Sequence, residues 1–329
     1  MSTKGRGKNQ AQFSFVANIG EYRNLRRSVE AKTMASQPVN CCVDFDTSTV
    51  RGKTAIVTGG AQGIGEAYVR ALLNAGAHVV IGDIDVERVE RLVSEFPDQL
   101  HFSKCDVTSW DDQVSLFRAA HASSPTNLIH IVVANAGITA PDEVFATEHA
   151  DQEDPSEPSL NMIEVNFRGV LYTTKLALHH FRRQHAAAVA SENQQLPETS
   201  LVLQGSIAAY LDSSTFCQYG ASKWAVRGLM RTLRRVVTDH GTRVNSICPS
   251  FLRTALVENR LLELLDANGI ELARGEDAGQ CLLRIVSDRE INGRALCVVA
   301  KGLVEQAPRG YYDLDSESIM EGPWMKIFQ

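Results

Sequence analysis

A chain of 329 residues that is 44% hydrophobic and 22% charged has material for one large globular core or two small ones. Its net charge of −6 argues against a general nucleic-acid binder, which would carry a basic face, and no apolar run approaches the ~20 residues of a membrane span. Seven cysteines, scattered except for the neighbours Cys41 and Cys42, and nine histidines at no ligand spacing suggest neither a disulfide framework nor a metal site, so reduced thiols in a cytoplasmic protein are expected.

Residues 1–49 stand apart. Lys4, Arg6, Lys8, Arg23, Arg26, Arg27 and Lys32 outnumber Glu21 and Glu30, with no sustained apolar period. The stretch reads as a disordered extension. A basic, acid-poor start is also the composition of an organelle transit peptide, and Met34 offers a later start, so these alternatives stay open. From Val50 the pattern alternates. KTAIVTG is a short β-rich run, followed by a helical stretch over 64–74 that closes at Gly76. HVVIGD is a second strand, followed by a charged amphipathic helix over 86–95; LHFSKCDV is a third, followed by a helix over 110–121; LIHIVVANAG is a fourth. Near-continuous apolar strands between helices predict a parallel sheet covered on both faces. Right-handed crossovers make it an α/β, Rossmann-type, doubly wound sheet.

The alternation continues with a long helix over 160–181, the strand SLVLQGS, a helix over 217–239, the strand TRVNSICP and a last run, RALCVVA, suited to an edge strand. Two polar stretches, EHADQEDPSEPS and AAAVASENQQLPETS, read as surface insertions. One domain is expected over 50–302, followed by a tail over 303–329. Tyr311, Tyr312, Trp324 and Phe328 in that tail suit a cover over a pocket or interface, or equally a peripheral strap.

TGGAQGIG, residues 58–65, falls where the first strand hands over to the first helix. Gly59, Gly63 and Gly65 let the backbone turn tightly and approach a pyrophosphate, and the helix then offers free N–H groups and its positive dipole end. Asp83 ends the second strand, where a carboxylate can accept from both ribose hydroxyls and would face a 2′-phosphate as a like charge. The bland alternative for Asp83 is a cap on the helix that follows. QYGASKW places Tyr219 and Lys223 four residues apart on one helix face, a spacing common to many helices.

The order of these features decides more than any one of them. Thr58 precedes a G-x-x-x-G-x-G loop, Asp106 follows the third strand, and N-A-G at Asn135, Ala136 and Gly137 ends the fourth. Asn166 lies within the long helix in EVNFRG, and Ser206 stands thirteen residues before Tyr219 of the Y-x-x-x-K pair. On these motifs the chain resembles the short-chain dehydrogenase/reductase family over roughly Val50–Gly302. Within it, the 15-hydroxyprostaglandin-dehydrogenase-like members and the fungal secondary-metabolite alcohol dehydrogenases are the most similar. The resemblance implies that Thr58, Gly59, Gln62, Gly63, Ile64 and Gly65 cradle a nicotinamide dinucleotide, and that Asp106 with Val107 meets its adenine. Pro249 and Thr254, in CPSFLRT, would anchor the carboxamide so that the 4-pro-S hydride is presented. NADP-preferring members place Arg or Lys where this chain has Gln62, Ile84 and Asp85, so NAD is expected over NADP. Two positions depart from the pattern: Ala134 stands where the family has a first Asn, and Ser250 where it has Gly.

The resemblance also assigns a catalytic set of Asn166, Ser206, Tyr219 and Lys223. Oxidising a secondary alcohol requires a base, and a free phenol with pKa about 10 is too weakly ionised near neutral pH. A lysine ammonium one turn away, with the positive nicotinamide, would lower that pKa. Ser206 would hold the substrate oxygen, Lys223 the nicotinamide ribose, and Asn166 a water relaying the proton. Expected substrates are lipophilic secondary alcohols of polyketide or terpenoid type, with residues 255–273 as the substrate-binding segment. A ketoreductase running in reverse, or a silent cofactor-binding module, are the rivals. Family members commonly pair two long helices across a two-fold axis, implying a homodimer or homotetramer here, with Arg231, Arg234 and Arg235 as a solvated face or as ion-pair partners.

Overall fold

Eight strands lie side by side in the order β3-β2-β1-β4-β5-β6-β7-β8. In chain order they are β1 (Thr54–Thr58), β2 (His78–Asp83), β3 (Leu100–Lys104), β4 (Ile131–Ala134), β5 (Thr199–Gln204), β6 (Thr242–Pro249), β7 (Ala295–Val298) and β8 (Tyr311–Asp313). The computed structural model describes residues 37–145, 154–191, 196–212, 216–237, 241–252, 263, 265–267, 271–301, 305 and 307–314. The first seven strands pair in parallel; β8 alone runs antiparallel, on β7. The order reverses between β1 and β4, so the loops after these strands splay apart at their carboxyl ends and open a crevice there.

The central strands are apolar on both faces because both faces are covered. Val57, Val79, Ile81 and Val133 pack in one core with Tyr68, Val69, Leu72, Leu282 and Ile285. Ile56, Val80, Val132 and Leu201 point the other way, into a core with Phe117, Phe181, Val226 and Met230. Each fully buried aliphatic or aromatic side chain of this kind contributes about 1.5–3 kcal/mol relative to exposure, which lets the sheet carry a polar site at one end. The helices in chain order are α1 (Gly63–Asn74), α2 (Val86–Glu95), α3 (Trp110–Ser123), α4 (Asn161–Ile163), α5 (Val170–Ala190), α6 (Cys217–Leu233) and α7 (Gly275–Ser287).

Three elements differ from expectation. The long helix over 160–181 is broken: a π segment, Glu164–Gly169, separates α4 from α5, and α5 runs on to Ala190, so the first part of the second polar stretch is helical. The helix over 217–239 ends at Leu233. The run RALCVVA is an inner strand, because Tyr311–Asp313 adds β8 outside it. Helix α7 was not anticipated at all; it presents Ala278, Cys281, Leu282, Ile285 and Val286 to the core.

Residues ahead of β1 also pack. The Val39 N–H donates to Asp313 Oδ2 at 2.8 Å, and Cys41 is buried against the α7 core. Arg294 holds the same carboxylate through Nε (2.7 Å) and Nη2 (2.6 Å), with both side chains nearly inaccessible. Residues 1–36, including Met34, and Trp324 and Phe328 lie outside the described residues.

Candidate active site

The loop after β1 is built on two backbone reversals, Gly59 (φ +66°) and Gly63 (φ +59°), in a region L side chains rarely adopt. Gly65, in the first turn of α1, sits against the loop it follows. A Cβ there would stand 1.9 Å from the Gly59 carbonyl oxygen and 2.6 Å from Asn135 Nδ2. Neighbouring polar groups lock the loop. Thr58 Oγ1 accepts from the Asn135 and Ala136 N–H groups at 3.0 and 3.2 Å. Asn135 Nδ2 donates to the carbonyls of Thr58 and Gly59 at 3.0 and 2.9 Å. The Gln62 N-cap has no side-chain bond into α1, which leaves the first N–H groups of α1 without a side-chain cap from Gln62, the arrangement an anion-binding helix start requires.

Asp83 is not a helix cap. Asp85 caps α2, accepting from Arg88 N at 3.1 Å. Asp83 instead accepts from Ala61 N (2.9 Å) and Asp85 N (3.0 Å), tying the end of β2 to the glycine loop. Sequence reading missed Arg88, whose guanidinium bonds to Gln62 Oε1 and lies 3.3 Å from Asp85 Oδ2. Its position one turn into α2 was the available signal. Asp106 accepts from the Thr108 N–H and hydroxyl, and Val107 is buried beside Gly169.

Ser206 follows β5 and caps the 3₁₀ turn Ile207–Ala209 through Ala208 N at 3.1 Å. Tyr219 and Lys223 lie on α6. The Lys223 ammonium stands 5.5 Å from the centroid of the Tyr219 ring and donates to the Gln204 carbonyl at 3.2 Å. Gln204 in turn accepts from the Tyr68 hydroxyl at 2.8 Å, fully inside the protein. Asn166 is wholly buried in the π segment. Its amide accepts from Ile138 N (2.8 Å), donates to Ile138 O (2.9 Å), and donates to Ser222 Oγ (3.3 Å). A Cβ on Gly137 would lie 3.2 Å from Asn166 Oδ1 and 3.6 Å from Lys223 Nζ, so Asn166 and Lys223 meet at the end of β4. A single-turn π insertion of this kind re-aims side chains at one point of a helix.

Burial sets the electrostatics. It drives Lys223 down to about 8, because a desolvated ammonium loses more than its bond to a carbonyl returns. Tyr219 is raised above its ordinary value, again chiefly by burial, with a hydrogen bond to the Ser206 side chain opposing the rise. The sequence had suggested a lowered phenol. That lowering counted the positive nicotinamide together with Lys223, and burial acts against it. Beneath them burial pushes the Cys248 thiol up to about 11, so it packs as a neutral side chain.

Pro249 ends β6, paired with Val298. Ser250, the departure from glycine, donates its N–H and its hydroxyl to the Val298 carbonyl at 2.9 and 2.8 Å, turning its side chain onto β7. Ala134, the other departure, is a buried residue of β4. Thr254 and most of 255–270 lie outside the described residues.

A doubly wound sheet with a glycine-built anion cradle at its switch point defines a dinucleotide-binding α/β protein. The sequence profile of the family "short chain dehydrogenase" matches residues 53–264. A 5′-hydroxyaverantin dehydrogenase of Dothistroma septosporum is 34% identical over 297 residues, covering 85% of this chain and 92% of the relative. An NADP-dependent dehydrogenase of a Phoma species is 32% identical, covering 91% and 89%. Among solved structures, a short-chain type dehydrogenase/reductase from Mycobacterium marinum superposes with a TM-score of 0.63 at 23% identity, covering 77% of this chain and 95% of that one. The chain belongs to the short-chain dehydrogenase family, and it is an NAD(P)-dependent oxidoreductase of that class.

Proposed function

We propose that the protein oxidises a bulky lipophilic secondary alcohol to a ketone using NAD, with Tyr219 as the base. The observation that carries this reading is the convergence of Lys223, whose ammonium lies 5.5 Å from the Tyr219 ring, with the buried Asn166 beside Gly137, next to Ser206 at the end of β5. The glycine loop fits a pyrophosphate, since Gly59 and Gly63 reverse the backbone at positive φ and the missing side chain at Gly65 lets the first turn of α1 close onto that loop. When bound, the oxidised nicotinamide supplies the hydride acceptor. Ser206 orients the substrate hydroxyl, and Tyr219 Oη takes its proton. Lys223, as its ammonium, favours the phenolate and holds the nicotinamide ribose. Asn166 holds the water through which the proton leaves. Asp106 and Val107 flank the adenine, and Pro249 with Thr254 positions the carboxamide.

NAD is favoured because the Asp83 carboxylate stands where a 2′-phosphate would come and Arg88 is engaged by Gln62 and Asp85. NADP is the second reading, supported by the same Arg88, which needs only a rotamer change to meet a phosphate, and by the relative named as NADP-dependent. Asp83→Ala should lower kcat/KM for NAD at least tenfold and narrow its advantage over NADP; an unchanged ratio would count against Asp83 as the selector.

Two apolar side chains near these groups are not closed into the core: Ile138, half-buried after β4, and the exposed Phe216 at the α6 N-cap. They suit a polyketide- or terpenoid-type substrate, as do the relatives named for 5′-hydroxyaverantin. Purified protein should form NADH from members of a panel of lipophilic secondary alcohols. Tyr219→Phe should cut that rate by about 10²–10⁴-fold while NADH still binds. Full turnover in Tyr219→Phe sinks the assignment, and the same residues serve a ketoreductase if only ketone reduction is seen. A homodimer or homotetramer fits the exposed Leu171 of α5 and Trp224 of α6, and light scattering of the purified protein tests it.

A further inference from the structure

Helix α6, which carries Tyr219 and Lys223, begins without a cap of its own. Its N-cap is Phe216, there is no side-chain cap bond, and its first turn holds no acidic residue. Phe216 cannot accept from the free N–H groups, so the chain satisfies one of them from elsewhere. Asp142 Oδ2 accepts from Gln218 N at 2.7 Å, across 76 residues of sequence. Its other oxygen accepts from Val144 N at 3.1 Å, so the carboxylate is fixed at both ends. Gln218 is the residue directly before Tyr219 and is itself buried.

Asp142 ends a short strap that starts at Ile138. At that end the Asn166 amide grips both the N–H and the carbonyl of Ile138. Residues 138–142 are thus pinned at one end by the π-segment asparagine and at the other by the first turn of α6, beside Tyr219. A charge-assisted bond to a backbone N–H is short and roughly twice as strong as a neutral one, and a carboxylate also complements the positive end of the helix. We propose that Asp142 is a positioning residue: it sets the first turn of α6, and with it the Tyr219 hydroxyl, relative to the substrate-side strap. The inference rests on Tyr219 acting as the base.

Three proteins test it: Asp142→Ala, Asp142→Asn and Tyr219→Phe, each with a secondary alcohol that wild type turns over. In Asp142→Ala, kcat should fall on the order of tenfold, in keeping with the cost of a sub-ångström misplacement, while KM for NAD stays within twofold. Asp142→Asn, whose amide oxygen can accept from Gln218 N, should recover most of kcat. Both variants lose a negative charge at the start of α6, so the acid limb of the pH–rate profile should move to lower pH. Amide hydrogen exchange of Gln218 and Tyr219 should quicken in the alanine variant and not in the asparagine one. The idea is overturned if Asp142→Ala keeps wild-type kcat and exchange rates, or if kcat and KM for NAD worsen together with an unmoved pH profile. If Asp142→Ala does not fold, Asp142→Asn decides alone: a wild-type pH profile counts against the proposal. A Tyr219→Phe enzyme at full activity overturns the base assignment instead, which keeps the two failures apart.

Discussion

Substituting alanine at Gly65 tests the cofactor cradle at its tightest point. The added Cβ would fall 1.9 Å from the Gly59 carbonyl oxygen, 2.9 Å from the Gly59 carbonyl carbon and 2.6 Å from Asn135 Nδ2. None of these groups is free to yield. The Gly59 carbonyl is held by Asn135, and the Asn135 backbone is held by Thr58. Ordinary contact then requires the first turn of α1 to retreat by roughly 1.5 Å, and a 1 Å displacement of a positioning element costs on the order of 100-fold. NADH affinity, followed by titration of nicotinamide fluorescence, should weaken at least about 100-fold, which corresponds to ~2.7 kcal/mol. The matched control is Gly228→Ala on the exposed side of α6, where a Cβ meets nothing within 4 Å. It should leave NADH binding unchanged and stabilise the helix by about 0.5–1 kcal/mol. NADH bound to Gly65→Ala within threefold of wild type, at an unchanged melting temperature, would refute the cradle as described.

Lys223→Met should abolish alcohol oxidation and yet stabilise the protein. The folded pKa of about 8, below the ordinary 10.5, means the buried ammonium is carried at a cost of about 3 kcal/mol. That cost is fully present below pH 8 and is relieved as pH rises from 8 toward 10.5, where the unfolded chain binds more protons. Allowing about 1 kcal/mol for the lost bond to Gln204, the variant should melt roughly 4–8 °C higher at pH 7, with the gap shrinking toward pH 10. A lower melting temperature at pH 7 contradicts the account. At the far edge of the sheet, Asp313→Ala leaves Arg294 buried without its carboxylate, a loss of about 3–5 kcal/mol that should lower the melting temperature by roughly 10 °C. Asp313→Asn should lie between, and a fall under 2 °C for alanine argues that solvent reaches the pair.

Much of the fold is carried by local pattern. The glycine loop at 58–65, the α2 bounds at Val86 and Glu95, and the first six strands follow from apolar runs and turn residues that each element dictates for itself. The proximity of Asn166, Tyr219 and Lys223 to the end of β5 at Ser206 was legible from their fixed order along the chain, although three of the four sit on helical segments. What was missed depended on long-range packing or on an unweighed signal. Helix α7 announces itself through Glu276 and Asp277 in its first turn and an apolar stripe from Ala278 to Val286, but it was overlooked between two more conspicuous leucine- and valine-rich runs. The π segment leaves no mark on the apolar pattern, and only the helix-kinking Asn of the resemblance, Asn166, pointed to it; there the buried Asn166 satisfies both polar groups of Ile138. Strand β8 is three residues long, too short for periodicity, and exists because Tyr311 and Tyr312 fill opposite cores. Burial, invisible in a heptapeptide, raises the Tyr219 phenol against the lowering expected from Lys223 and the nicotinamide.

The carboxylate of Asp313, shared by Val39 and Arg294, has a topological consequence. Residues 39 and 313 stand within one hydrogen bond of each other, so a chain joined there by a linker of a few residues could open elsewhere with little lost loop entropy. The clamp also anchors β8, which covers the edge of β7, whose four residues are all inaccessible. An unpaired, fully apolar edge is a template for another chain's strand. Losing Asp313 therefore predicts self-association through β7 as well as a lower melting point.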